Sequence, residues 1–191
     1  NHNSYVVELG SNDGYQLQFF KRKSIPCVGF EPSPGPANAA KDKKIDTIEE
    51  FFGVESAWNF LSETHPFSKG RKADLVIANN VLAHVRDLND FLEGISLILK
   101  ESGTATFENP WVKLLLDETQ FDTIYHEHLR YYSLISLINL LKHHDLEIFH
   151  AKKIPSHGGS IRVYAAKKGT YKTFDTVKKM LKSEKPYVTE K

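Results

Sequence analysis

The 191 residues hold a single cysteine, Cys27, so an internal disulfide is impossible and a cysteine-based zinc site is excluded. A reducing, cytoplasmic setting is the simplest expectation for such a chain. No apolar run approaches the ~20 residues that span a bilayer, and no basic-then-apolar leader opens the sequence; no membrane partner is expected. Charge of one sign is lacking too. Lys and Arg number 25 against 24 Asp and Glu, a net charge of +1, which argues against a dedicated nucleic-acid binder. Internal repeats and low-complexity tracts are also absent.

What is present is a globular balance, 40% hydrophobic and 26% charged, on a chain long enough for one domain with a real core. The charge is uneven: from Lys167 onward there are eight lysines against three acids, and before it 17 basic against 21 acidic residues. The chain opens almost directly into an apolar strand, Tyr5–Leu9, and so reads as part of a longer protein. Residues 1–168 are expected to form one domain. Residues 169–191 are expected to form a basic tail, with an isolated helix over Phe174–Lys182 that would begin a further C-terminal lobe.

Strands are expected at Tyr5–Leu9, Pro26–Phe30, Ala73–Ala78, Thr104–Glu108, Leu146–Ile154 and Ile161–Ala166, with a short one near Ile45. Helices are expected at Tyr15–Lys23, Ala37–Lys43, Val54–Glu63, Asp87–Lys100 and Leu134–His143. The clearest is Asp87–Lys100, where Leu88, Phe91, Leu92, Ile95, Ile98 and Leu99 share one face. Such alternation predicts an α/β, doubly wound, Rossmann-like sheet. The last two strands have no helix between them, which predicts an antiparallel edge strand and favours a methyltransferase-type sheet over a plain dinucleotide fold.

The first strand runs into Glu8-Leu-Gly10-Ser11-Asn12-Asp-Gly14, and a helix follows. Gly10 permits a tight turn and close approach of a ligand, and Gly14 permits close packing at the helix start. Ligands of open α/β sheets bind outside the carboxyl ends of strands. Asn12 stands where a dinucleotide motif has its middle Gly, the residue that makes room for pyrophosphate. S-adenosylmethionine carries no phosphate and needs no such room. Glu31 ends the second strand, 21 residues after Gly10, where a carboxylate can accept from both hydroxyls of a ribose. Asn79 and Asn80 end the fourth strand on the same rim, as cofactor contacts or as a polar turn.

Histidines gather on that rim. His84 follows the fourth strand, Tyr125-His126-Glu127-His128 follows the fifth, and His157 lies between the last two. His126-x-His128 lacks a third ligand, so no metal is expected. General acid–base work suits a group that titrates near neutrality, with Glu127 or Tyr125 tuning it. Tyr125 and His128 would point to opposite faces of a regular strand, so their convergence requires an irregular loop.

The segments Val6–Gly14, Gly29–Ser33, Ala78–Val85, Phe121–Leu129 and His157–Arg162 together resemble the sugar C-methyltransferase family, from about Val6 to Val163. The resemblance implies S-adenosylmethionine as cofactor and a nucleotide-linked keto-sugar, an NDP-sugar, as small-molecule substrate in deoxysugar biosynthesis. It implies His128 as the base that generates an enolate. Tyr125, Glu127 and His84 would position the sugar, relay protons or stabilise the enolate. His157 and Arg162 would contact substrate or brace the loop. Family members also carry an N-terminal Cys-rich zinc-binding domain and a C-terminal Rossmann-like lobe. A transferase acting on oxygen or on another small molecule, and a non-catalytic cofactor-binding module, are the alternative readings.

Overall fold

The computed structural model describes residues 2–155 and 158–187. Strands and helices alternate: β1 (Val6–Leu9), α1 (Leu17–Arg22), β2 (Cys27–Phe30), α2 (Pro34–Asp42), β3 (Thr47–Ile48), α3 (Val54–Phe60), β4 (Ala73–Asn79) and α4 (Leu88–Ile98). Then follow β5 (Leu99–Pro110), α5 (Val112–Asp117), α6 (Leu134–Lys142), β6 (Leu146–Ile154), β7 (Ser160–Lys167) and α7 (Asp175–Glu184). The strands form one sheet in the order β3-β2-β1-β4-β5-β7-β6. β1 pairs in parallel with both β2 and β4, whereas β6 and β7 pair antiparallel. The chain therefore reverses its winding at β1, and the loop that leaves β1 lies at a topological switch point. Among the described residues no helix is long and apolar enough to cross a membrane.

The chain divides into two compact units, residues 1–78 with 89–105, and residues 79–88 with 106–191. In the first, every residue of β1 is buried, as expected for a parallel strand covered on both faces. Val6, Leu17, Ala40, Ile45 and Ile77 form one apolar cluster. Phe30, Phe52, Phe60 and Phe91 pack edge to face in another, with ring centroids 5.0–5.7 Å apart. In the second unit the core is built from Leu134, Leu137 and Leu141 of α6 with the inward residues of β6 and β7.

Beyond shifts of one to three residues at other ends, two elements start earlier than expected and one was not expected. α2 begins at Pro34 rather than Ala37, because a proline at the first helical position gives up an N–H that has no partner there anyway. β5 begins at Leu99, directly after α4, rather than at Thr104. Gly103 is thus a strand residue, and a Cβ on it would come within 2.9 Å of the Ala73 carbonyl oxygen. α5 was not expected at all; its six residues are too few for a periodic signal. The helix expected to stand alone in the tail is instead packed. α7 lies against β6 and α6, and the Phe174 N–H donates to Phe149 O (2.8 Å) at the irregularity of β6. The fully buried Glu184 carboxylate accepts from the Leu134 and Ile135 N–H groups (2.6 and 3.1 Å) and from Trp111 Nε1.

Candidate active site

In the first unit the loop after β1 is folded by three residues in the left-handed region, Gly10 (φ 65°), Asn12 (φ 52°) and Gly14 (φ 71°). Asparagine tolerates that conformation better than most residues, so the loop closes without a glycine in the middle. The Ser11 N–H donates to Phe30 O (3.0 Å) and fixes the loop on the end of β2. Glu31 Oε2 accepts from the Asn12 N–H and Oε1 from the Ser33 N–H, both at 2.9 Å. A carboxylate has about four acceptor positions, so two backbone bonds leave it able to receive a diol. Gly29 is required here, because a Cβ on it would lie 2.1 Å from Ser11 Oγ.

Glu8 is 3% exposed, and among the described residues its Oε2 has no hydrogen-bond partner; Ser11 Oγ is likewise buried without one. Burial pushes the Glu8 carboxyl up to about 8. Unpaired buried oxygens cost free energy until something bonds to them, so this loop fits a polar or cationic ligand. Glu8, Gly10, Ser11, Asn12, Gly14 and Glu31, all expected to hold a cofactor, lie together on β1, just past the end of β2 and on the turn between β1 and α1.

In the second unit, β4 ends at Asn79 and the chain turns through Asn80, whose φ is 55° and whose N–H donates to Glu108 O (2.7 Å). A further turn carries His84. The Tyr125-His-Glu-His128 segment is a β-turn, closed by the His128 N–H on Tyr125 O (3.0 Å). This is the irregular loop that convergence required. The Tyr125 hydroxyl lies 2.9 Å from His128 Nε2, and the His84 and His128 ring centroids lie 5.0 Å apart. His128 Nδ1 is 3.0 Å from Thr123 O and His84 Nδ1 is 2.9 Å from Glu127 O. A carbonyl only accepts, so each Nδ1 carries a proton, and in the neutral ring Nε2 is then the nitrogen with the lone pair. The His128 lone pair receives the Tyr125 hydroxyl.

These three side chains line a cavity of about 630 Å³ together with Asn80, Gln120 and Asp122. The Glu127 side chain is exposed and does not line it; Glu127 contributes its carbonyl. Arg162 on β7 donates through Nε to Glu108 Oε2 (2.7 Å), a carboxylate that is 4% exposed, and it does not line the cavity. His157 lies outside the described residues. Sequence reasoning missed Gln120 and Asp122. Their only signal is the polar stretch between α5 and Tyr125, and composition alone gives it no direction. Gln120 Nε2 donates to Gly158 O (2.7 Å) and closes that side of the wall. Asn109 was missed as well; it is fully buried, and neither polar atom of its side chain is bonded among the described residues.

Strand order, antiparallel edge pair and glycine turn at the switch point define a class I S-adenosylmethionine-dependent methyltransferase fold. Residues 1–151 match a family model described as a methyltransferase domain. The C-methyltransferase NovU of Streptomyces niveus is 36% identical over 161 residues, which are 84% of this chain and 37% of that protein. The chain thus spans little more than a third of that relative's length. A chain of the complex between the Haloferax volcanii Trm112 methyltransferase activator and a methyltransferase superposes with a TM-score of 0.65 at 16% identity, over 86% of this chain and 82% of that one. The O-methyltransferase NcsB1 of neocarzinostatin biosynthesis, solved with S-adenosylmethionine and a naphthoic acid, gives 0.62 at 17% identity, over 86% and 49%. The chain belongs to the methyltransferase-domain family, and its cofactor is S-adenosylmethionine.

Proposed function

We propose that this chain is the catalytic core of a C-methyltransferase that acts on a nucleotide-linked keto-sugar. The observation that carries the reading is the Tyr125–His128 pair, bonded at 2.9 Å with the histidine tautomer fixed, in a polar cavity beside His84. Similarity to NovU supports transfer to carbon.

Carbon beside a ketone is a poor nucleophile until it loses a proton. His128 Nε2 takes that proton and becomes imidazolium, stabilised by its Nδ1–H bond to Thr123 O. The C–H electron pair becomes the enolate and the ketone oxygen takes the charge. The Tyr125 hydroxyl turns its hydrogen bond from Nε2 to that oxygen, which is oxyanion stabilisation by a preset donor. His84 presents a second imidazole lone pair to the cavity and accepts from a sugar hydroxyl. Asn80, Gln120 and Asp122 supply the polar wall that a polyhydroxyl substrate requires. Glu8, Ser11 and Glu31 would hold S-adenosylmethionine, which when bound supplies an electrophilic sulfonium methyl to the carbanion.

The test is proton exchange in deuterated water beside the ketone of a nucleotide-linked keto-sugar. Replacing His128 with Ala is expected to slow exchange by about 10²–10⁴-fold, the usual worth of a positioned base. Exchange at the wild-type rate in that variant would remove the base assignment. Absence of exchange in the wild type would remove the keto-sugar reading.

A further inference from the structure

His84 and His128 come from segments 44 residues apart in sequence, yet their rings meet. The contact is held by a ladder of bonds between residues 82–86 and 127–132. The Tyr132 hydroxyl donates to Leu82 O (3.0 Å), the Leu129 N–H to Ala83 O (2.9 Å), and His84 Nδ1 to Glu127 O (2.9 Å). The last rungs come from one side chain: Arg130 Nη1 donates to Val85 O (2.5 Å) and Nη2 to Arg86 O (3.0 Å). Arg130 does not line the cavity. A planar guanidinium spans two successive carbonyls, whereas an ammonium is a point donor.

We propose that Arg130 is a positioning residue: its fork on Val85 and Arg86 holds the His84 loop against the Tyr125–His128 turn and so fixes the His84 ring and its tautomer. The Thr123 bond of His128 lies outside this ladder, so the two histidines respond differently when the fork is removed. The catalytic consequence rests on the keto-sugar reading, but the geometric consequence does not.

The experiment is nitrogen-15 NMR of the imidazoles in the wild type, Arg130→Met and Arg130→Lys, with melting curves and kinetics beside it. In the wild type both rings show the Nδ1–H form. In Arg130→Met, His84 is expected to lose that form while His128 keeps it. kcat falls roughly tenfold, within the cost known for small misplacements near reacting groups, and KM stays unchanged. Arg130→Lys restores part of the His84 signal. A folded Arg130→Met with the His84 signal unchanged would overturn the proposal. So would loss of fold in both variants, which would make Arg130 a purely stabilising residue. An altered His84 signal in a protein that never exchanges the sugar proton would leave the positioning role standing and remove the substrate reading instead.

Discussion

In the proposed function the loop after β1 and the turn before α6 both present polar side chains to a ligand, but they keep them in opposite conditions. Glu8 and Ser11 are buried, and each has an oxygen with no hydrogen-bond partner among the described residues. His84 and Tyr125 are exposed and His128 is half-buried, yet both histidines are bonded through Nδ1 to a backbone carbonyl. The first loop therefore stores unfavourable desolvation that a ligand relieves. The second spends its hydrogen bonds in advance on orientation, and leaves the Nε2 atoms for the proposed chemistry. Recognition and chemistry thus use the same interaction on different schedules.

Removing one bond from the oriented side should produce the largest effect. Tyr125→Phe keeps the ring beside His128 and deletes the hydroxyl that meets Nε2. The proposed reaction then loses its oxyanion donor, and kcat is expected to fall about 100-fold or more, with cofactor affinity by calorimetry unchanged. A fall in cofactor affinity as large as that in kcat would erase the contrast between the two loops.

Next in size is a change far from the chemistry. Glu184→Ala leaves three donors without their acceptor, two of them buried, on Leu134 and Trp111, and one half-buried, on Ile135. Each such loss costs about 1–3 kcal/mol, and about 3 kcal/mol in all lowers the melting temperature of a chain this size by roughly 6–12 °C. Melting curves would show this, and calorimetry would show S-adenosylmethionine binding at its former strength in the folded protein. An unchanged melting temperature would mean that α7 is dispensable, in line with a detachable tail.

The two loops also differ in how far the sequence reveals them. The alternation of apolar runs and amphipathic segments suffices for the sheet and its antiparallel edge pair, because strands covered on both faces are built mainly from apolar residues. Glu8, Gly10 and Glu31 are weak signals singly, and it is their shared register that singles them out, since a strand end and a glycine turn leave the backbone few choices. His84, Tyr125 and His128 can be singled out as residue types, but their meeting depends on a β-turn and on bonds across some 44 residues, which no local pattern encodes. Gln120 and Asp122 escape for the same reason. α5 and the early start of β5 escape because neighbouring chain, not local propensity, decides whether a short apolar stretch curls or extends. The role of Glu184 is invisible in sequence, as a lone acid near the end of a basic helix reads as solvated.

A smaller effect sharpens the account of the buried loop. Burial raises the Glu8 carboxyl from the ordinary 4.5 to about 8, so the folded chain holds that proton more tightly than the unfolded one. Its contribution to stability is fully present below about 4.5 and is lost as pH rises to about 8. Glu8→Gln should remove this slope and raise the melting temperature at pH 9. The ionised carboxylate is also the better partner for a cationic cofactor. The wild type should therefore bind S-adenosylmethionine about tenfold more tightly than the variant at pH 9, the worth of one charge-assisted bond, and nearly equally at pH 6. Equal affinities at both values would mean that Glu8 is buried for packing alone.

The smallest effect is expected where residue type alone would suggest a large one. Glu127 sits between two histidines and is an obvious acid for the reaction, but its side chain is exposed and away from the cavity, and its carbonyl receives the His84 Nδ1 proton. A carbonyl survives any substitution that leaves the turn intact. Glu127→Gln should therefore keep kcat/KM within about threefold, less than 1 kcal/mol, whereas His84→Ala should lower it by tenfold or more. A loss in Glu127→Gln that matches His84→Ala would place the carboxylate on the substrate. It would also show that the turn rearranges when substrate arrives, so that the second loop is no more finished in advance than the first.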